Sequence, residues 1–212
     1  MANAVSTKSP REINAEQRRS DLIEATIRCI AEFGIAGASV EKITEAAGVS
    51  RGLIRHYFGS KNQLLVQASQ RLWDEFAAVL RGRHSPDNDP ESELRWIIRQ
   101  TFSEPMFSPE RLHAWFGFWH AARSNPELER INEEGYSMER FRYRELLGRA
   151  AARRRREIDA DLAGDGLAAV ADGVWLQLLV DPAGCTTAHA EGVCNHYVDL
   201  VLGGPPRGGE RG

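Results

Sequence analysis

The chain has 212 residues, 42% of them hydrophobic and 27% charged, with 27 Lys/Arg against 30 Asp/Glu for a formal net charge of −3. Three cysteines, Cys29, Cys185 and Cys194, are too few for a disulfide scaffold. No uninterrupted apolar run approaches a bilayer span, and the polar first residues lack the apolar centre of a signal peptide, so a soluble cytoplasmic protein with no membrane partner is expected.

Residues 1–14 are polar, with Lys8, Pro10 and Arg11, and are expected to form a flexible arm. From residue 16 to 33, Leu22, Ile23, Ile27, Ile30 and Phe33 recur at helical spacing, and Gly34 and Gly37 end that helix. Arg18 and Arg19 near its start are placed to add phosphate contacts. Ser39 is a suitable N-cap for a short helix with Val40, Ile43 and Ala47 on one face. Gly48 stops it, Val49 plugs the turn, and Ser50 is expected to cap a second short helix that begins at Arg51. That helix turns Leu53, Ile54 and Phe58 inward and leaves Arg51, Gly52, Arg55 and Tyr57 nearer the outside. A turn-joined helix pair whose second helix exposes arginines is the layout of a helix-turn-helix DNA reader. Residues 1–61 carry 9 Lys/Arg and 7 Asp/Glu, and the remainder 18 and 23, which suits a protein that meets phosphate at one end only.

Lys61 opens a long helix through Leu64, Leu65, Ala68, Leu72, Phe76 and Leu80, which stops before the Pro/Asp-rich loop at residues 85–90. Residues 91–103 form another, with Leu94, Ile97, Ile98 and Phe102 inward. Ser108 and Pro109 then start a helix holding the densest aromatic patch, where Trp115, Phe118 and Trp119 share a face. A further helix follows Asn125 and Pro126 through Leu128, Ile131, Met138, Phe141 and Leu146 to four arginines at 153–156. Two apolar helices, at about 161–180 and 187–202, close the chain. Neither strand alternation nor an internal repeat is evident. The expected fold is all-α with about nine helices: arm 1–14, helix-turn-helix domain 15–60, ligand-binding and dimerisation domain 61–204, and flexible tail 205–212.

No nucleophile elbow or phosphate-cradling glycine loop is present, so neither an enzyme nor a cofactor is expected. Cys185, His189, Cys194 and His196 tempt a metal reading, but only the two histidines share a helix face, and core cysteines with surface histidines explain the pattern. The aromatic patch is the sharper case. An aromatic box attracts a quaternary ammonium through cation–π contacts, and a carboxylate completes the charge balance. Asp172, three residues before Trp175 in an apolar helix, is such a carboxylate, because a charge there is costly without a partner. The alternative leaves the tryptophans as core and Asp172 as a capped or dimer-facing group. Leu176, Leu179, Val193, Tyr197, Leu200 and Val201 exceed what one buried face needs, so the last two helices are expected to pair with their two-fold copies.

Ile43, Ala46, Ala47, Gly48, Val49, Ser50, Gly52, His56, Tyr57, Phe58, Ser60, Lys61 and Leu64 together resemble the reader motif of the TetR family of repressors. Leu53 and Arg55 stand where many members have Thr and Tyr, so base preference does not transfer. The Gly-Leu-Ile-x-His-Tyr-Phe run is most similar to the choline-responsive repressors of glycine betaine synthesis, and residues 114–119 and 166–176 extend that likeness into the body. The resemblance implies a homodimeric repressor of double-stranded operator DNA released by a small effector, with a quaternary ammonium cation such as choline the suspected one. Ser39, Ser50, Tyr57 and Lys61 would meet phosphate and Arg51, Gly52 and Arg55 the bases, while Trp115, Phe118, Trp119, Asp172 and Trp175 would hold the ligand. The helix of Trp115 would lie between ligand pocket and long helix, relaying the signal. The competing expectation is a ligand-binding or protein-interaction module whose helix-turn-helix only packs.

Overall fold

The computed structural model describes residues 9–82 and 89–204. Within them the chain forms nine helices and no strand: α1 (Pro10–Gly37), α2 (Val40–Ala46), α3 (Gly52–Phe58), α4 (Lys61–Arg81), α5 (Pro90–Thr101), α6 (Pro109–Ala122), α7 (Pro126–Arg153), α8 (Ala160–Val180) and α9 (Thr187–Leu202). Most starts are set by a short polar side chain that accepts one of the helix's free amide groups. Ser39 takes Lys42 N at 3.3 Å, Ser60 takes Gln63 N at 3.1 Å, and Ser108 takes Arg111 N at 3.1 Å. Asp89, Asn125, Asp159 and Thr186 do the same for α5, α7, α8 and α9.

Two starts differ from expectation. The first helix begins at Pro10 rather than at residue 16, because Ser9 and Glu12 form a reciprocal capping box ahead of it. The arm is thereby shortened, and residues 1–8 lie outside the described part, as do most of the loop at 85–90 and the tail 205–212. Ser50 is not a side-chain cap: Arg51 is already helical at φ −55°, ψ −32°, and Ser50 contributes its carbonyl to Leu53 N at 3.1 Å.

Ile43, Ile54 and Phe58 pack with Leu22, Ile27, Ile30 and Leu64 to make the core of the head, and α4 continues from it into the body. There α7 is central, touching α4, α5, α6, α8 and α9. Phe33 and Phe141, both expected to face inward, are 40% and 68% exposed. Phe33 has Lys42 Nζ 3.5 Å above its ring, a cation–π contact that gives it a partner outside the core.

Among the described residues α8 is long and apolar enough to cross a bilayer by length and composition alone, as the core helix of a globular protein can also be. It serves instead as a core helix, with Ala163, Leu167, Ala171, Val174 and Leu178 buried where it packs on α7 and α9. The outer face of α8 and α9 carries Leu162, Leu176, Val180 and Leu200 at 47–70% exposure.

Candidate functional site

The α2–α3 pair presents one surface. Gly48 (φ 64°) makes the turn and Gly59 (φ 77°) ends α3, backbone conformations that side chains with a Cβ rarely adopt. Arg51, Gly52 and Arg55 are exposed, and Tyr57 is half-buried between His56 and Phe58. A Cβ on Gly52 would meet nothing within 4 Å, so the chain's own packing does not require a glycine there; its bareness leaves room for an outside surface. Arg51 pairs with Glu41 at 3.2 Å, but both side chains are more than half exposed, so the pair is easily exchanged for phosphate. Lys61 reaches Ile35 O at 3.5 Å and keeps further donors.

Arg19, by contrast, is exposed but tied to the end of α3. It donates to Tyr57 O at 3.4 Å and to Gln67 at 2.5 Å and lies over the Phe58 ring, which makes it a strut for α3. Arg28 plays a similar part at the end of α2, donating to Ala46 O at 3.2 Å.

A second feature lies in the body: a cavity, partly open to solvent, with walls from α4 through α8. Trp73 and Phe76 come from α4, Thr101 from α5, Trp115 and Trp119 from α6, Tyr136 and Glu139 from α7, and Ala171, Asp172 and Trp175 from α8. Half of the ring pairs meet edge to face and the others are tilted. Trp73 and Trp115 are 4.8 Å apart at 86°, Trp73 and Tyr136 5.4 Å at 66°, and Trp115 and Trp175 6.5 Å at 85°. Trp73 donates its indole N–H to Asn132 Oδ1 at 3.0 Å. The indole nitrogens of Trp115 and Trp119 are buried with no partner.

The cavity is also acidic. Burial pushes the Asp172 carboxyl up to about 6, against a pull downward from its hydrogen bond with Tyr136 and from Arg140. Burial, then the nearby Asp172, raise Glu139 to about 8. Tyr136 is raised by burial and by the same two carboxyls. A cavity walled by π faces, with an ionised carboxylate and unpaired N–H groups, can hold a small cation bearing an oxygen acceptor.

Trp115, Trp119, Asp172 and Trp175 meet at this cavity. Phe118 does not: it is 1% exposed and packs in the core. Sequence reasoning missed Trp73, Tyr136 and Glu139. Trp73 was legible, three residues before Phe76 on the same face. Glu139 was not, since it is one charged residue among many on α7 and only the packing shows it is buried. The expected relay also differs, because α4 walls the cavity itself and α6 packs chiefly against α1. A Cβ on Gly117 would stand 2.8 Å from Ile30 of α1. Cys185 and Cys194 are buried and His189 and His196 exposed, so those four do not converge.

Residues 22–68 match the bacterial regulatory proteins of the tetR family, and residues 90–203 match the C-terminal domain of BetI-type transcriptional repressors. The chain belongs to the TetR family of transcriptional regulators. It is 35% identical over 193 residues to the helix-turn-helix regulator BetI of Paraburkholderia xenovorans, covering 88% of this chain and 94% of that one. BetI 1 of Chromohalobacter salexigens is 34% identical over 190 residues, covering 87% and 90%. A transcriptional regulator of Pseudomonas aeruginosa superposes with a TM-score of 0.78 at 32% identity, covering 89% of this chain and 92% of that one. A regulator from Saccharomonospora viridis, solved in complex with choline, superposes at 0.73 with 21% identity, covering 87% and 96%. The TetR assignment makes the protein a DNA-binding regulator rather than an enzyme, and sets aside the helix-turn-helix that only packs.

Proposed function

We propose that this regulator is a homodimeric repressor that leaves its operator when a small organic cation, a quaternary ammonium compound such as choline, enters the body cavity. The observation that carries the reading is the cavity's composition: four indoles and a phenol around two carboxyls, with two indole N–H groups awaiting an acceptor. A quaternary nitrogen fits the rings and the carboxylate, and a hydroxyl oxygen fits the indoles. The choline held by the structural neighbour from Saccharomonospora viridis supports the same class.

The exposed apolar face of α8 and α9 pairs with its two-fold copy in this reading, which sets two α3 helices against half-sites about one DNA turn, or a multiple of it, apart. Ser39, Ser50, Tyr57 and Lys61 meet phosphates, and Arg51, Gly52 and Arg55 lie nearest the bases. Such a protein works in the cytoplasm. A filled cavity moves α6, and through its contact with α1 it tilts the head; release follows because the ligand binds the DNA-incompetent state more tightly.

Gel shifts with DNA flanking the protein's own gene, over a range of salt, test the first half. Arg55→Ala should relax sequence preference, and Lys61→Ala should weaken all sites alike and flatten the salt dependence. Calorimetry with choline, and with its uncharged isostere in which carbon replaces nitrogen, tests the second half. Equal binding of the two would leave the aromatics as plain core.

A further inference from the structure

The cavity holds one acid more than a single cation needs. Glu139 on α7 is 4% exposed and lines the same space as Asp172 on α8. Tyr143, on its own helix, hydrogen-bonds it, and Tyr136 and Arg140 flank it. From the elements packed against it, Asp172 of α8 and Cys194 of α9 are the titratable neighbours. The cavity walls of α4, α5 and α6 offer rings and the Thr101 hydroxyl, with no titratable group. Among the described residues, the positive charge that reaches Glu139 is that of Arg140, which is drawn towards Asp165 at 3.8 Å. A buried carboxyl in that position is neutralised by a proton or by a cation from outside.

We propose that Glu139 uses each in turn: the empty cavity keeps a proton on this carboxyl, and an organic cation entering the cavity displaces it. The inference rests on the cation-site reading above and adds a second ligand-charge group to it. The exchange balances simply. The O–H bond of Glu139 breaks, its electron pair stays on the carboxylate now facing the cation, and the proton passes to solvent.

The acidities agree with this geometry. With Glu139 at about 8 and Asp172 at about 6, at neutral pH Asp172 supplies a carboxylate while Glu139 still holds its proton. A cation in the same cavity favours the ionised form of both. Affinity for the cation therefore rises with pH between about 6 and 8, by at most about tenfold per unit. Acidification holds the repressor on its operator at a given effector concentration, and alkalinisation releases it.

The test is calorimetry of choline binding to the full chain from pH 5.5 to 8.5, in pairs of buffers that differ in ionisation enthalpy. The expected result is release of roughly half a proton or more per site at pH 7 to 7.5. In Glu139→Gln the release at pH 7.5 should vanish, leaving only a smaller exchange near pH 6 from Asp172. Choline binding to the unaltered protein with no buffer dependence between pH 6 and 8 would overturn the exchange while leaving the cation site standing, and this measurement needs no variant to fold. Absence of binding by choline and tetramethylammonium at every pH would remove the cation site itself, and the exchange with it.

Discussion

The head and the body handle charge in opposite ways. In the head the charged groups of the reading surface lie in water, and Arg51 and Glu41 meet at 3.2 Å with side chains 70% and 51% exposed. In the body two carboxyls, Glu93 and Glu139, are taken out of water and Asp172 is half-buried. Glu93, 6% exposed, is paired with Arg142, which also donates to Leu80 O at 2.9 Å and to Glu145 at 2.5 Å. Glu139, 4% exposed, has no such arginine and meets the Tyr143 phenol, as Asp172 meets that of Tyr136. A buried acid whose charge is met by a fixed arginine holds two helices together. A buried acid without one is raised in pKa and left ready for a visitor. The lesson is that burial alone does not mark a functional carboxylate; the identity of what neutralises it does.

Removing the fixed partner should break the comparison most severely. Arg142→Ala takes the guanidinium from the buried Glu93 carboxyl and should cost about 3–5 kcal/mol, read as a lower midpoint in denaturant. Glu139→Gln should act in the other direction, and increasingly as the pH rises above 4.5. The folded chain keeps protons on Glu139 and Asp172 above the pH at which the unfolded chain loses them. Stability therefore declines from 4.5 to about 8 for Glu139 and from 3.8 to about 6 for Asp172. The Gln variant should flatten the first decline, gaining on the order of 4 kcal/mol at most at pH 8 and almost nothing at pH 5, as denaturation curves at the two pH values would show. An equal gain at both would mean that the carboxyl is not carrying a proton. Asp172→Asn should weaken choline binding on the order of 10- to 100-fold by calorimetry, and should flatten the decline between pH 3.8 and about 6, a smaller gain than that of Glu139→Gln. The smallest effect belongs to the head: Glu41→Ala should change stability by less than about 0.5 kcal/mol, yet tighten DNA binding by freeing Arg51.

The helices were legible because their punctuation is local. Ser39, Ser60, Ser108 and Asn125 announce starts that packing then only confirms. Failures came where a nonlocal partner overrides the pattern. Phe33 fits the apolar period of α1 but finds Lys42 on α2. At the cavity, Trp115, Trp119, Asp172 and Trp175 stood out as aromatic or misplaced on apolar helices. Phe118 shares their face by spacing, yet a cavity wall is narrower than a helix face, and it fell on the core side. Tyr136 and Glu139 carry no such signal, for α7 is so rich in charge that one buried acid cannot be told from its solvated neighbours.

On α6, Gly117 stands two residues from Trp115 and two from Trp119, which on a helix of 3.6 residues per turn turns it about 200° away from each. Gly117, where α6 meets the head, and the two tryptophans that line the cavity therefore lie on opposite sides of α6. Substitutions can accumulate on the tryptophan side and change which molecule fits, while the glycine side goes on meeting Ile30 as before. A lineage built on this helix can acquire a new chemical vocabulary without having to relearn its address on the chromosome.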